Sequence, residues 1–280
     1  MQIGVNVPNF GPAADPGLLR DWAQTVEGLG FDLLTLSDHV AVTPDVAEQY
    51  PAPFHEPFTA LAWLAGVTRR VRLGTSVLIA PYRHPLLTAR MAANVGALSG
   101  GRLVLGVGVG WARQEFAALG VPFGERGRLT DEVLAALRRA RTDPADYAGG
   151  DVPLWVGGNS AAGLRRAVRH GDAWHPLRAT MPWLVAGHAR LRAAGADVGF
   201  APRIALRLTP EPLPEDGRLA GEGSLGQVRG DLDRLRDLGA EAVVLDPLGG
   251  GDGGADVGRP QPAWQALAAV AAARTNGDNP

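Results

Sequence analysis

Short apolar runs alternate with amphipathic segments along the whole chain, and this alternation most narrows what the chain can form. The runs Ile3–Val7, Asp32–Ser37, Val71–Leu78, Arg102–Val107, Leu154–Val156, Asp172–Trp174, Arg203–Leu208 and Ala242–Asp246 read as strands. Between them lie segments with helical spacing. Leu19, Trp22, Ala23 and Val26 share one face of a helix over Pro16–Leu29 that Gly30 stops. A helix is predicted near Pro57–Val67, and another after His84-Pro85 that carries Leu87, Met91, Val95 and Leu98 to a Ser99-Gly100-Gly101 end. Helical material follows strand four through Arg141, and a helix begins at Ser160. Leu225, Val228, Leu232, Leu235 and Leu238 mark the seventh helix, and Trp264, Leu267 and Ala271 the last. Strand and helix in alternation signal parallel βα units. Eight of them predict an α/β fold of the (β/α)8, or TIM-barrel, kind, which leaves no sheet edge exposed. An open doubly wound sheet is the alternative. The reading is one barrel over residues 1–274 with a flexible tail at 275–280, and a mobile Gly249–Gly254 stretch.

Composition excludes several functions. All 27 basic residues are arginine, so Schiff-base chemistry, which needs a lysine amine, is ruled out. There is no cysteine to serve as nucleophile, disulfide or metal ligand. The formal net charge of −2 gives no reason to propose nucleic acid as a partner. Met1 leads directly into the first strand, no signal peptide is visible, and no run approaches the roughly 20 apolar residues of a membrane helix. The cytoplasm is the expected compartment, with a small molecule as partner.

In a barrel, chemistry gathers where strands end. Asn6 and Asn9 follow strand one, Ser37, Asp38 and His39 strand two, Ser76 and Val77 strand three, His175 strand six, and Asp246 ends strand eight. Asp38 and His39 form the sharpest cluster: a carboxylate and an imidazole suited to move protons near neutral pH, or else a loop cap beside a hydrogen-bonding histidine. Gly106, Gly108, Gly110 and Trp111 fail the dinucleotide fingerprint, because its third glycine would fall on Trp111. These glycines either let the backbone pass close to a flat ligand or mark a bulge at the barrel rim. Gly157, Gly158, Asn159 and Ser160 read as a glycine turn into a helix start that offers N–H groups to a phosphate, or as an ordinary N-cap. The loop Gly249–Gly254 is the rival phosphate site. No His-Glu-x-x-His or strand-one His-x-His supplies a metal site, and Gly74-Thr75-Ser76-Val77-Leu78 is no nucleophile elbow.

Several of these motifs together resemble the luciferase-like family of flavin and deazaflavin enzymes. They are Gly30-Phe31-Asp32 leading to Ser37-Asp38-His39, then Arg72–Leu78 with Tyr82-Arg83-His84-Pro85, and Leu98–Arg102. Gly106–Trp111 with Glu115-Phe116, Pro153–Gly158 and Gly171–Trp174 continue the likeness. The resemblance implies a barrel that binds a flavin-type cofactor at its C-terminal mouth: deazaflavin F420, with FMN as the alternative. It places His39 beside the reacting ring, a non-prolyl cis peptide at Ser76–Val77 behind it, and the Gly157–Ser160 loop near the cofactor phosphate. Asp38 would share proton management with His39, Gly108, Gly110 and Trp111 would line the site, and a homodimer is suggested. Thr43 and Trp111 stand where some deazaflavin enzymes carry Trp and Glu.

Overall fold

The computed structural model describes residues 1–142, 151–195, 197–248 and 257–275. Its strands are β1 (Gln2–Asn6), β2 (Leu33–Leu36), β3 (Arg72–Ile79), β4 (Leu103–Gly108), β5 (Leu154–Gly157), β6 (Ala173–His175), β7 (Gly199–Phe200), β8 (Arg203–Ala205), β9 (Arg207–Leu208), β10 (Glu222–Gly223) and β11 (Ala242–Asp246). Its helices are α1 (Pro16–Gly28), α2 (Pro44–Ala47), α3 (Pro57–Val67), α4 (Pro85–Leu98), α5 (Arg113–Ala118), α6 (Arg126–Thr142), α7 (Ala161–His170), α8 (Met181–Ala193), α9 (Leu225–Asp237) and α10 (Gln261–Thr275). Nine parallel strands run in the order β7-β6-β5-β4-β3-β2-β1-β11-β8. Since β7 and β8 flank Ala201-Pro202, the two ends of that order meet in one stretch of chain, and the sheet curls into a barrel.

That junction departs from the expected strand over Arg203–Leu208. The seventh strand begins earlier, at Gly199, and breaks at Pro202, which has no N–H to give a ladder. Its first half pairs with β6 and its second with β11, while Arg207–Leu208 leaves the barrel to pair with β10. Helix α8 was not foreseen, although Thr180 caps it and Met181, Leu184 and Leu191 face the core. The tail at 276–280 and the Gly249–Gly254 stretch lie outside the described residues. Among the described residues, no helix is long and apolar enough to cross a membrane.

A period of two divides each strand between two cores. Leu34, Leu36, Leu103, Leu105, Val243 and Leu245 point out into the layer shared with the helices. Leu33, Val104, Trp155, Ala173, Ala201, Ala242 and Val244 form a separate cluster inside the barrel. Two residues further along the same inner rows stand polar groups: Thr35, His175, Arg203 and Asp246. The opposite end of the barrel is fastened by Arg102, whose guanidinium donates to the carbonyls of Ala65, Val71 and Ser99 and to the Thr68 hydroxyl. The end of the Ser99-Gly100-Gly101-Arg102 motif thereby ties α3 and α4 to the start of β3.

The glycines of β4 and β5 answer to β3 rather than to a ligand. The β3–β4 register shifts between Thr75 and Leu78. A Cβ on Gly106 would collide with the Thr75 carbonyl, one on Gly108 with Val77 Cγ2, and one on Gly157 would lie 2.9 Å from Val77 Cγ1. Gly110, at φ +76°, would meet Ile79 and Phe116. The rim bulge therefore sits on β3, and the neighbouring glycines make room for it. Gly108→Ala should destabilise the fold by about 1–3 kcal/mol through overpacking. Val77→Ala in the same chain should recover much of that loss. Denaturant unfolding of the two single variants and the double variant measures the coupling, and strict additivity would show that this contact is not the cause.

Candidate functional site

The inner rows end in a cleft of about 250 Å³ at the C-terminal mouth of the barrel. It brings together Asp38, His39, Ser76, Val77, Gly108, Gly110, Trp111, Gly157 and Gly158, all named from sequence. Ser37 and His175, also named at strand ends, line it too, and it adds Tyr50, Ile79, Val109, Leu177 and Arg203. The Ser76–Val77 peptide is cis, as the resemblance implied.

The wall on the β2 side is organised by Glu115, a fully buried carboxylate in the first turn of α5. Its Oε2 lies 2.6 Å from His39 Nδ1 and accepts the Tyr82 hydroxyl at 2.8 Å. Its Oε1 accepts the backbone N–H groups of Val40 at 2.6 Å and Ala41 at 3.1 Å. Burial pushes this carboxyl up. The hydrogen bond and charge of His39 and the N–H groups of Ala41 and Val40 outweigh it, holding Glu115 below the usual carboxylate range. An ionised carboxylate only accepts, so Nδ1 of His39 carries a hydrogen and Nε2 is the nitrogen left for the cleft. Burial, then the charge of Glu115, pushes the Tyr82 phenol well above its ordinary value, so it stays a neutral donor. The His39 ring is packed by Tyr50, Phe54 and Trp111, with centroids 5.2, 5.4 and 5.6 Å away.

Asp38 is engaged differently. Its oxygens accept a two-pronged pair from Arg83 at 2.6 and 2.8 Å and the Ile79 N–H at 2.8 Å, and Arg83 also holds Glu56 at 2.9 Å. Burial pushes the Asp38 carboxyl up, against the pull of Arg83. Arginine does not give up its proton in proteins, so this pair fixes the end of β2 and the start of α4 without a partner that titrates.

The floor is a chain of hydrogen bonds across the barrel interior. Ser76 on β3 meets His175 on β6 at 2.8 Å, three strands away in the sheet. His175 Nδ1 bonds the Ala201 carbonyl, which only accepts, so the hydrogen is on Nδ1 and Nε2 accepts from the Ser76 hydroxyl. Burial holds the His175 imidazole down at about 4, against the Ala201 carbonyl and with the help of the nearby Arg203 charge. Arg203 donates to the Ser76 carbonyl and hydroxyl and twice to Asp246 Oδ2, at 2.9 and 2.6 Å.

Asn159 and Ser160 stand outside the cleft lining, and their side chains are used locally. Asn159 exchanges two hydrogen bonds with the Leu177 backbone, at 2.8 and 3.0 Å, which fastens the β5 loop to the β6 loop. Ser160 caps α7 through the Gly163 N–H. Gly158, at φ +121°, turns the chain into that helix, and its carbonyl accepts the Trp174 indole N–H at 2.9 Å. The rival Gly249–Gly254 lies outside the described residues. Arg178 follows the fastened Leu177. It is partly exposed, has a φ of 46°, and its Nε is 4.0 Å from Asp246 Oδ2. Among the described residues no group of His, Asp and Glu is arranged to hold a metal ion.

Sequence reasoning left out Glu115, Tyr50 and Arg203 as site residues, and it noted His175 only as a strand end. The parity of the inner rows was the available signal for His175 and Arg203. No local signal joined Glu115 to His39.

A family model described as luciferase-like monooxygenase matches residues 1–211. An F420-dependent glucose-6-phosphate dehydrogenase of Intrasporangium calvum is 33% identical over 190 residues, covering 59% of this chain and 54% of that protein. An uncharacterized protein of Mycobacterium tuberculosis is 32% identical over 180 residues, covering 54% of this chain and 62% of the relative. The matches to these two curated relatives thus cover 54–62% of their length. A monooxygenase from Streptomyces bottropensis has the same fold, with a TM-score of 0.75 at 19% identity and all of both chains covered. So has a coenzyme F420 dependent tetrahydromethanopterin reductase from Methanopyrus kandleri, with a TM-score of 0.72 at 15% identity, covering 96% of this chain and 97% of that one. With the family model matched over well more than half its length, this chain belongs to the luciferase-like monooxygenase family.

Proposed function

We propose that this chain is an oxidoreductase that uses deazaflavin F420 to move a hydride to or from a small organic substrate, with His39 as the proton carrier. The observation that carries the reading is the Glu115–His39 pair facing a cleft of mostly apolar lining. The names of relatives that use F420, among them the dehydrogenase of Intrasporangium calvum, favour F420 over FMN. FMN is the alternative, since a flavin enzyme of the same fold is among the structural neighbours. A binding protein without turnover is a third reading. Its mark would be tight cofactor binding with no oxidation or reduction of any substrate.

The cleft suits a flat, phosphate-bearing cofactor. Val77 and Ile79 offer apolar surface for a ring, and His39 Nε2 stands beside it. The N-terminus of α7, with Arg178 on the adjoining loop, offers N–H groups and a positive charge to a phosphate. When bound, the cofactor supplies the hydride acceptor or donor, which no side chain here can provide. The chain's own part is proton handling. As an alcohol carbon gives up hydride, its hydroxyl proton passes to His39 Nε2; in the reverse direction Nε2–H donates to the carbonyl oxygen. Glu115 is a positioning residue that holds the Nδ1–H tautomer and steadies the imidazolium while it exists. Asp38, paired with Arg83, is reassigned from proton carrier to anchor of the strand end. Leu86, Leu87 and Trp63, exposed on α3 and α4, support a homodimer, and the cytoplasm is the proposed compartment.

Titration with F420 and with FMN tests the cofactor. F420 should bind at about low-micromolar strength or better, roughly −8 kcal/mol, and FMN more weakly. Tighter FMN binding with oxygen consumption would favour a monooxygenase. Ala161→Glu puts a carboxylate in the first turn of α7, where the helix dipole tolerates it. It should weaken cofactor binding about tenfold or more with the melting temperature unchanged. Unchanged affinity would move the phosphate to the Gly249–Gly254 loop.

Glu115→Gln should lower the hydride-transfer rate by about 10²-fold or more, because an amide N–H facing Nδ1 selects the wrong tautomer. His39→Ala should cost a similar factor and also about 1–3 kcal/mol of stability, because it leaves the buried Glu115 short of a donor. Single-turnover rates near wild type in folded Glu115→Gln protein would remove the pair from catalysis.

A further inference from the structure

The chain holds no lysine, so any fixed positive charge at the cleft mouth is an arginine. Among the described residues that follow the barrel strands, nearly every arginine is already engaged. Arg83 is bound to Asp38 and Glu56, and Arg203 to Asp246 and Ser76. Arg207 pairs with Glu222, Arg218 with Asp231, and Arg113 lies over the Phe123 ring at 4.1 Å. Arg178 is the loosely held one, at 4.0 Å from Asp246, and it stands where the cofactor phosphate is placed above. The stretch from Ser37 to Glu56 adds Asp45 and Glu48 and no arginine. Among the described residues, a second anion would therefore find no arginine at the mouth that is not already engaged.

The apolar groups point the other way. Trp111 and Leu177 line the cleft while 41% and 36% exposed. Large apolar side chains left in water around one concave site mark where an apolar ligand is covered.

We propose that the substrate is an uncharged, mainly apolar alcohol or ketone, covered by Trp111 and Leu177, and not a phosphorylated or carboxylated compound. The reaction type in this inference rests on the oxidoreductase reading; the charge and polarity of the ligand rest on the mouth alone.

The test is calorimetric titration of the cofactor-loaded chain with 2-octanone and, separately, with glucose 6-phosphate. 2-Octanone should bind with the same affinity at about 50 mM and about 500 mM salt, since screening does not touch an uncharged contact. Trp111→Ala should weaken it about tenfold or more, roughly 1.4 kcal/mol. Glucose 6-phosphate should bind at least about a hundredfold more weakly than the ketone. Binding of the phosphate ester in preference to the ketone, or binding of neither, overturns the inference. Ketone binding to a chain that takes up neither F420 nor FMN would support this inference and sink the cofactor reading, so the two fail separately.

Discussion

A carboxylate taken out of water costs several kcal/mol unless its oxygens are met by donors, and Glu115 is met by four. They come from the loop after β2 and from the turn after β3, while Glu115 itself stands on the short helix after β4. One buried charge thus fixes three strand-end segments relative to each other. Asp38, one residue before His39, solves the same problem with Arg83 and the Ile79 N–H. The two carboxylates have opposite chemical consequences. The guanidinium partner never releases its proton, so the Asp38 pair is static. The imidazole partner keeps its second nitrogen turned to the cleft, so the Glu115 pair leaves a polar atom available there. The difference lies in the partner and not in the acid, and for that reason the Asp38-His39 dipeptide does not reveal it.

Elements set by local periodicity were legible. The helix over Pro57–Val67 and the strand Ala242–Asp246 were read with the bounds the structure has. The inner rows follow from period two, which is why most residues named at strand ends do meet in one cleft. Partnerships across the barrel were not legible. Ser76 and His175 are 99 residues apart, Ser76 and Arg203 127, and His39 and Glu115 76. Nothing local in the chain encodes which polar ends of eight strands will touch. The break at Pro202 was missed because Arg203–Leu208 is apolar enough to read as one strand, whereas the missing Pro202 N–H and the change of partner are facts of pairing.

The glycines show a different kind of limit. Gly106, Gly108 and Gly157 look like ligand-binding glycines because they stand at strand ends in a barrel mouth. In the fold, the space a Cβ would need at each is taken by Thr75 or Val77 of the neighbouring β3. They shape the cleft at one remove: they admit the β3 bulge, and the bulge carries Val77 into the lining. Asn159 and Ser160 are similar. Their polar atoms are spent on Leu177 and on the α7 cap, which sets where Gly158 and Arg178 stand and leaves any anion to backbone N–H groups.

The cleft is therefore built from a fixed floor and a wall that carries His39. On the floor, His175 has a carbonyl on one nitrogen and a serine hydroxyl on the other, with Arg203 close by. Burial and the Arg203 charge outweigh the pull of the Ala201 carbonyl, so the imidazole is neutral through the physiological range and its tautomer is set. The Ser76 hydroxyl must then point at His175 and cannot also donate into the cleft. On the wall, His39 has a carboxylate on one nitrogen and the cleft on the other. The hydrogen-bond directions of the floor do not depend on that second nitrogen. The chemistry of what each Nδ1 touches thus separates two histidines at the same barrel end, one engaged on both nitrogens and one with a nitrogen turned to the cleft.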